Sequence, residues 1–299
     1  MPRSFRDYTW QDWRHLRPFT QTLKTIRYRA IDAIHMRQAP RSGGLASLVQ
    51  SVSGRDVLVT IAYCDPELIA WQVPLVRHYV PHALHIVADN TPDDKQAASI
   101  ENYARRGGAL YLRLPKNPWG TGSRSHGIAM NWMWRNVLRP GAPRAFGFLD
   151  HDIFPLAPDD PFSILSQQSF YGVVRRAGRR WFLWAGFCFF RFDAVADLPL
   201  DFGQDWFIGL DTGGGNWSVL YERVDPIEFK LIYFTYSASQ SSGRRTILQW
   251  CGAWMHEGGW MWKGDFELAK REAVESILKP HLAAAAAKPG ATAAAPISS

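Results

Sequence analysis

Two aspartates separated by one residue stand at the end of an apolar run. The stretch AFGFLDHDIFPL places Asp150 and Asp152 after a strand-like segment, and Ile153 and Phe154 resume the apolar pattern. In an extended chain, residues i and i+2 project to the same side, so both carboxylates can face one ion. Burying an unpaired carboxylate is costly, and carboxylate oxygens suit Mg²⁺ or Mn²⁺. The pattern therefore predicts a divalent cation, which could in turn bridge the oxygens of a diphosphate.

The segments before these aspartates alternate between strand-like and helix-like patterns. Predicted strands span 56–64, 83–90, 109–114 and 145–150, and predicted helices span 66–80, 93–108 and 123–138. Short connections between them predict an α/β fold, with a mostly parallel central sheet and helices on both faces. Ligands of such sheets bind beyond the carboxyl ends of the strands. Asp89, Asp150 and the YCDP turn fall at such ends.

The chain after residue 159 has short strand-like runs, glycine turns and many aromatic residues. Two antiparallel strands are predicted on either side of RRAGRR (175–180), so we expect a smaller antiparallel region there. The predicted organisation is a basic extension with a linker over 1–50, a catalytic domain over 51–282, and a disordered alanine-rich tail over 283–299. Within this division, RSGGLASLVQSVSG (41–54) has the composition of a linker.

The net charge of +7 suggests an anionic partner, and residues 1–45 hold nine Arg or Lys against three Asp. In this segment Phe19, Leu23, Ile26, Ala30, Ile31 and Ile34 recur at helical spacing, with basic residues between them. Such a helix could rest on an anionic membrane surface. A basic surface helix packed on the main domain is the equally weighted alternative.

Cysteine usage and hydropathy favour a cytoplasmic protein, or one held peripherally on the inner face of a membrane. Cys64, Cys188 and Cys251 are far apart and form no CxxC pair, which fits a reducing compartment. The N-terminus has no apolar signal segment, and the apolar run WFLWAGFCFF (181–190) is too short to span a bilayer.

Several motifs of other enzyme classes are absent from the sequence. The chain has no Walker A motif, no GxSxG, no HExxH and no EF-hand loop, and GTGSRSHG does not complete a GxGxxG. These absences disfavour P-loop NTPases, dinucleotide-dependent enzymes, serine hydrolases and zinc peptidases of the common types.

Residues 56 to 260 resemble a nucleotide-sugar-dependent glycosyltransferase of the glycosyltransferase-A fold, close to the inverting family 2 type. The resemblance rests on VLVTIAYCD, IVADNTPDD, LPKNPWGTGSRSHGIAMN and FLDHDIFPL, which occur in the family's order. It implies a hexosyltransferase that uses Mn²⁺ or Mg²⁺, a nucleotide-sugar donor and a hydroxyl acceptor that is a glycan, a lipid-linked saccharide or a small molecule. The implied donor-binding residues are Tyr63, Asp65, Asp89, Asn117, Arg124, His126 and Asp150, with Asp89 recognising the base.

The third segment departs from the family pattern. Ser125 or His126 stands where the family has asparagine, and Trp119 separates Asn117 from Gly120. These differences leave the contacts to the phosphates and to the donor sugar open.

The same resemblance implies an acceptor side and a catalytic base. WAGFCFFR resembles the acceptor-side strand, with Trp184 and Gly186, and GQDWFIGLDTGGGNW resembles the segment that supplies the base. An inverting transfer needs a carboxylate that takes the acceptor proton. Asp211 is the first choice and Asp205 the second, and a turn aspartate is the alternative for Asp211.

A third metal ligand is implied near the end of the resembling segment. His256 stands where several families of this fold return a histidine to the metal, and a structural histidine is the alternative. Glu257 is a weaker candidate, and His151 alternates away from the two aspartates.

Two other functions compete with the glycosyltransferase. A sugar-nucleotide nucleotidyltransferase would carry a glycine-rich loop after the first strand, and AYCDPEL lacks one. The other is a non-catalytic module that binds glycan or lipid. Nucleic acid is disfavoured because the basic excess lies in the N-terminal extension, away from the acidic strand ends.

Overall fold

A computed structural model describes residues 8–120, 122–205, 209–241, 243–258 and 265–287. Its main sheet has six strands in the order β3-β2-β1-β4-β7-β6. The first four strands are parallel to one another, and β7 is antiparallel to its neighbour β4. The edge strand β6 is antiparallel to β7 and so runs in the same direction as the first four strands. The strands are β1 Asp56–Ala62, β2 Leu84–Asp89, β3 Leu110–Arg113, β4 Ala145–Asp150, β6 Phe170–Ala177 and β7 Arg180–Arg191.

The predicted α/β class is confirmed. The strand β1 is buried along its whole length, as expected for a strand covered by helices on both faces. The predicted hairpin around RRAGRR is also confirmed, because β6 and β7 pair up to Ala177 and Arg180, and Gly178 turns between them with a φ of 59°.

Three helices connect the parallel strands, and local signals in the sequence explain their ends. They are α4 Pro66–Tyr79, α5 Asp94–Gly107 and α6 Ser123–Met133. The side chain of Asp65 caps α4 and that of Asp93 caps α5, and Gly108 ends α5 in the left-handed conformation. The predicted helix over 123–138 is α-helical only to Met133, and continues as a π-helical turn, Trp134–Leu138, and the short α7, Arg139–Gly141.

A second, antiparallel sheet has the order β5-β10-β9-β8, which confirms the predicted smaller antiparallel region. Its strands are β5 Ile153–Pro155, β8 Thr235–Ser241, β9 Arg244–Cys251 and β10 Trp254–His256. Because β5 begins just after Asp152 and pairs with β10, His256 lies opposite Ile153. This pairing brings residues about a hundred positions apart in the chain to one place.

The N-terminal segment is helical and includes part of the predicted linker. Its helices are α1 Trp10–Arg14, α2 Arg17–His35 and α3 Leu45–Ser51. The prediction of a linker over 41–54 is wrong at α3, where Leu48 is buried and is followed by buried Val52. Composition did not reveal this helix, because one short apolar face among small residues is enough for a helix to pack on the protein.

Two further α-helices are described, α8 Phe192–Val195 and α9 Asp265–Ala287. The last helix includes residues 283–287 of the alanine-rich tail, and the rest of that tail lies outside the described residues. No helix in the described ranges is long and apolar enough to cross a membrane.

Candidate functional site

Three possible metal ligands meet at the carboxyl end of β4. Asp150, Asp152 and His256 each offer one ligand atom, and these atoms lie within 4.8 Å of one another. The Nε2 of His256 is 3.3 Å from Oδ2 of Asp152. Sequence reasoning selected all three residues, and the structure brings them together.

Buried hydrogen bonds fix the turn that carries the two aspartates. The side-chain amide of Gln72, on α4, donates to the carbonyl of Asp150 at 2.7 Å and to that of Ile153 at 2.8 Å. Its carbonyl accepts from the hydroxyl of Thr60 on β1 at 2.7 Å. Gln72 is fully buried, so it ties the turn to the sheet without taking part in the site.

A hydrogen bond to Gln249 orients the ring of His256. Its Nδ1 lies 2.7 Å from Oε1 of Gln249, on the neighbouring strand β9. Because an amide oxygen only accepts, Nδ1 carries a proton, and Nε2 is the nitrogen that faces the aspartates and could bind a cation when it is unprotonated. Such a partner on the second nitrogen is typical of a metal-ligating histidine. His151 is not one of the three ligands, and its Nδ1 instead accepts from the backbone N–H of Tyr63 at 3.0 Å.

The electrostatics of the cluster show three groups that compete for protons. Burial raises the pKa of Asp150, and the charge of Asp152 raises it further, against the opposing effect of His126. Burial also acts against ionised Asp152, but the charge and hydrogen bond of His256 outweigh it and hold that pKa below the ordinary value. Burial lowers the pKa of His256, and Asp152 more than offsets this, so the net pKa is raised.

These residues fit a divalent cation. Two carboxylates within 4.8 Å of each other repel when both are ionised, and a cation between them would remove that cost. Two carboxylate oxygens and one imidazole are ligands that Mn²⁺ accepts readily.

Trp184 and Gly186, predicted for the acceptor side, border the metal cluster. The ring centroids of Trp184 and His256 are 4.7 Å apart. A Cβ on Gly186 would lie 2.2 Å from the Trp184 ring and 2.5 Å from Oδ2 of Asp150. Only glycine therefore allows β7 to hold the indole ring and the carboxylate this close together.

The N-terminus of α6 faces the same strand end. The Nε2 of His126 lies 3.3 Å from Oδ1 of Asp150, at ion-pair distance, and it has no aligned hydrogen bond to a described residue. Gly122 precedes the helix, and no described side chain caps the first N–H groups. Free N–H groups at a helix N-terminus favour an anion.

Asn117 and Tyr63 support the segment that leads into α6. The amide of Asn117 donates to Oδ1 of Asn90 at 2.8 Å and to the carbonyl of Ser125 at 3.0 Å. The hydroxyl of Tyr63 donates to the carbonyl of Gly120 at 3.2 Å. Both residues lie beside the predicted donor segment, and their polar groups hold the backbone in place. Thr121 lies outside the described residues.

The structure does not bring Asp89 and Asp65 to the metal cluster. Asp89 is 1% exposed, and its oxygens accept from the N–H of Thr91 at 2.8 Å and from the hydroxyl of Tyr111 at 2.7 Å. Burial raises the pKa of Asp89, and these hydrogen bonds oppose the shift. Asp65 caps α4 and forms an ion pair with Arg271 at 2.9 Å.

Asp211 is exposed on a turn that packs against both β7 and α6. Its Oδ1 accepts from the N–H of Thr212 at 2.8 Å, and the Thr212 hydroxyl donates to the carbonyl of Ser123 at 3.0 Å. Gly213 has a φ of 92°, and a Cβ there would lie 2.6 Å from the carbonyl oxygen of Leu183. The turn thus sets Asp211 beside the start of α6.

Asp205, the second candidate for the base, lies on the other arm of the same loop. It forms an isolated bridge with Leu210. The intervening residues 206–208 of the segment used for the prediction lie outside the described residues.

Sequence reasoning missed two basic residues of α9, Lys270 and Arg271, that support the end of β10. Arg271 on α9 binds Glu257 at 3.0 Å, Asp65 at 2.9 Å and Glu67 at 3.3 Å. Lys270 donates to the carbonyl of Gly258. Burial raises the pKa of Glu257 to about 7, although Arg271 opposes the shift. The adjacent Lys-Arg pair in an otherwise amphipathic helix was the available signal.

The chain is similar to several solved structures. A mannosyltransferase from Pyrobaculum calidifontis in complex with GDP-Man and Mn²⁺ is 12% identical, with a TM-score of 0.42, and the match covers 90% of this chain and 86% of that one. The galactosyltransferase LgtC, in complex with donor and acceptor sugar analogs, is 13% identical, with a TM-score of 0.35 and coverage of 46% and 58%.

A third similar structure is glucosyl-3-phosphoglycerate synthase from Mycobacterium tuberculosis with Mn²⁺ and uridine-diphosphate-glucose. It is 18% identical, with a TM-score of 0.29 and coverage of 48% of this chain and 51% of that one. The matches thus span about half the length of LgtC and of the synthase. No family model and no curated protein matches the sequence. At these identities and TM-scores, the similarities assign no activity to this chain.

Proposed function

We propose that this protein is a metal-dependent glycosyltransferase of the glycosyltransferase-A fold. It would transfer a hexose from a nucleotide-sugar donor to a hydroxyl acceptor, with inversion at the anomeric carbon. The observation that carries the proposal is the group of Asp150, Asp152 and His256 at the end of β4, beside an α6 N-terminus that suits an anion. A cation and a diphosphate are the two ligands that this pair of features accommodates together.

Asp150, Asp152 and His256 would hold Mn²⁺ or Mg²⁺. When bound, the cation supplies neutralisation of the negative charge on the leaving diphosphate. Gln249 keeps the His256 ring oriented, and Gln72 keeps the aspartate turn in register with the sheet.

The donor side would be formed by the segment that enters α6. Arg124 and His126 supply donors for phosphate oxygens, together with the free N–H groups of the helix. Asn117 and Tyr63 hold the approach to this helix. We propose supporting roles for Asp89 and Asp65, because their carboxylates are committed to the protein's own groups.

The acceptor side would lie between β7 and the Asp211 turn. The indole of Trp184 offers a flat apolar face that suits a sugar ring, and Gly186 permits its position beside Asp150. We propose Asp211 as the base, with Asp205 as the second candidate. An exposed, ionised carboxylate can take the proton of the acceptor hydroxyl as that oxygen attacks the anomeric carbon.

Donor turnover tests the proposed reaction. GDP-Man and UDP-Glc, which occur in the similar structures, would be incubated with Mn²⁺ and a pool of glycan, lipid-linked and small-molecule acceptors. Metal-dependent release of nucleoside diphosphate with an inverted glycoside supports the proposal, and a retained configuration contradicts the single-displacement mechanism. Formation of sugar nucleotide from a nucleoside triphosphate and a sugar 1-phosphate would indicate the nucleotidyltransferase. Binding without turnover would indicate the binding module.

The Asp211→Asn variant tests the proposed base. It should bind donor as the wild type does and transfer sugar about 10²- to 10⁴-fold more slowly, because the amide cannot accept the proton. Asp205→Asn is the matched comparison. Wild-type transfer by Asp211→Asn, with slow transfer by Asp205→Asn, would move the role of the base to Asp205.

We also propose that residues 1–45 hold the protein peripherally on an anionic membrane surface. The helix α2 exposes Phe19, Leu23, Ile26 and Ile34, at 57% to 68% of their surface. Basic residues flank this stripe, so it suits an apolar and anionic interface. A lipid-linked acceptor would fit this location.

Vesicle sedimentation of the full chain tests the membrane proposal. A variant carrying Leu23→Ser and Ile26→Ser should sediment less with phosphatidylglycerol vesicles than the wild type, and binding by both should weaken as salt increases. Equal sedimentation of the two proteins would contradict the proposal. Phosphatidylcholine vesicles are the control for the anionic component.

A further inference from the structure

The helix α2 presents its polar side, rather than its apolar side, to the rest of the molecule. Its half-buried positions are Gln21, Thr25, Tyr28, Ile31 and Asp32, whereas four of the apolar residues, Phe19, Leu23, Ile26 and Ile34, are exposed. An amphipathic helix usually buries its apolar face. The contacts on the inner side are therefore a few specific polar and aromatic ones, and their partners show what the helix is arranged to hold.

The partners are Trp119 and Arg124, on either side of Gly122 at the start of α6. The indole N–H of Trp119 donates to Oδ1 of Asp32 at 2.8 Å. The rings of Tyr28 and Trp119 meet edge to face, with centroids 5.0 Å apart. The guanidinium carbon of Arg124 is 3.8 Å from the centroid of Tyr28 and 4.9 Å from that of Trp119.

The geometry leaves the hydrogen-bonding edge of Arg124 available. The guanidinium carbon of Arg124 lies over both aromatic rings, and the five N–H groups of a guanidinium point outward in its own plane. Asp32 is at 4.0 Å from Nη1 of Arg124, beyond hydrogen-bond distance. A guanidinium fixed in this way can offer its edge to a phosphate, for which the planar fork is well suited.

We infer that Tyr28 and Asp32 of the N-terminal helix are positioning residues that hold Arg124, and the Trp119 segment beside it, for the diphosphate of the donor. The inference rests on the proposed function, since it takes Arg124 as a donor-binding residue. Tyr28 supplies the face on which the guanidinium lies, and Asp32 fixes the Trp119 ring that borders it. The helix that carries the exposed apolar stripe thus forms one wall of the donor site.

A purely structural role of the same contacts would have a different effect. If the cluster only docks α2, its loss would lower the melting temperature and leave donor affinity unchanged. If the cluster positions Arg124, its loss would weaken donor binding with little change in kcat. Loss of the cluster would also no longer weaken donor binding in a variant that lacks the Arg124 side chain.

The experiment measures binding of GDP and of UDP, each with Mn²⁺, and the donor KM and kcat of the full chain. Tyr28→Leu should weaken nucleotide binding and raise KM about tenfold, the size expected for losing a partly desolvated cation–π contact. Tyr28→Phe should restore both, because it retains the ring. Asp32→Ala should have a smaller effect of the same kind, and Asp32→Asn should restore binding, since its carbonyl still accepts from Trp119.

A double-mutant comparison makes the assignment specific. Arg124→Ala combined with Tyr28→Leu should bind nucleotide as weakly as Arg124→Ala alone. Ala33→Ser, at an exposed position of the same helix, is the control and should bind nucleotide as the wild type does. Wild-type affinity in Tyr28→Leu, or additive losses in the double variant, would overturn the inference while leaving the proposed function standing. Failure of the wild type to bind either nucleotide with Mn²⁺ would instead overturn the proposed function, and the inference with it.

Discussion

Two strands of the parallel sheet end in aspartate, and the two ends differ in how the charge is matched. At the end of β2, Asp89 is almost fully buried and receives hydrogen bonds from Thr91 and Tyr111. At the end of β4, Asp150 and Asp152 face each other, with His256. The first carboxylate has donors within the protein. In the second pair, Asp152 accepts from the N–H of Gly258 at 3.2 Å, and the two carboxylates otherwise face the imidazoles of His126 and His256 at 3.3 Å.

This difference shows that burial of an acid at a strand end does not by itself indicate a binding site. Buried polar groups are usually matched, and the identity of the matching groups decides the role. Donors that belong to the fold surround Asp89, which favours a structural role for it. Three ligand atoms that converge make the β4 end the candidate site for a cation.

Among the variants that test this comparison, Asp152→Asn should cause the largest loss of Mn²⁺ affinity. Replacing one of two carboxylate ligands should lower Mn²⁺ affinity more than about 100-fold, because even the loss of a group that only supports a ligand typically costs about 10- to 100-fold. Isothermal titration with Mn²⁺ measures this. Asp159→Asn is the control on a nearby half-buried aspartate, whose Oδ2 accepts from the Trp254 indole. An unchanged Mn²⁺ affinity in Asp152→Asn would contradict a metal site at the end of β4.

A smaller effect is expected from Gln249→Ala. This change removes the acceptor that holds Nδ1 of His256, so the ring can rotate or take the other tautomer. Mn²⁺ affinity should fall about tenfold, within the range for supporting residues of metal sites. Gln249→Glu should retain the acceptor and most of the affinity. Loss in both variants alike would show that Gln249 does not act through its carbonyl oxygen.

Mn²⁺ binding at the β4 end should depend on pH. Mn²⁺ requires neutral His256 and ionised Asp150, and the pKa of each is raised above the ordinary value. Affinity should therefore be highest above the raised pKa of His256 and should fall as pH decreases through it, by about tenfold per pH unit where one proton is displaced. Calorimetry in buffers of different ionisation enthalpy counts the released protons. No proton release near neutral pH would contradict the role of His256.

The smallest effect on metal binding is expected from Asp89→Asn. The amide can replace only one of the two acceptors, so the variant should lose about 1–3 kcal/mol of stability. Its Mn²⁺ affinity should equal that of the wild type. Chemical denaturation and the same titration measure the two quantities. A loss of metal or nucleotide binding with unchanged stability would show instead that Asp89 takes part in binding.

The parallel part of the fold could be predicted from the sequence because its signals are local. A β-branched apolar run marked β1, a short apolar segment marked β2, and Asp93 and Gly108 marked the ends of α5. The helix α3 was missed because its signal is a single buried face within a linker-like composition. The orientation of α2 was also beyond prediction, since periodicity gives an amphipathic helix but not which side meets the protein.

The aspartates and His256 were predicted from local pattern and resemblance, but their supporting groups were not. Gln72 and Gln249 are polar residues in a helix and a strand, and nothing nearby in sequence marks them. The role of Gln72 arises from the packing of α4 against the turn between β4 and β5, and that of Gln249 from the pairing of β10 with β9. Both contacts join distant segments of the chain. Asp89 is the opposite case. Its place at a strand end was predicted correctly, but nothing in the sequence showed that the hydroxyl of Tyr111, on β3, donates to its carboxylate.

Binding of Mn²⁺ to the wild-type protein, followed by titration with GDP and UDP, tests the central claim most directly. One Mn²⁺ should bind with displacement of protons, and at least one of the nucleotides should bind much more tightly with Mn²⁺ than without it. Asp152→Asn should lose both effects, and Asp89→Asn should retain both. Equal nucleotide affinity with and without Mn²⁺, or metal-dependent binding that survives in Asp152→Asn, would contradict the account.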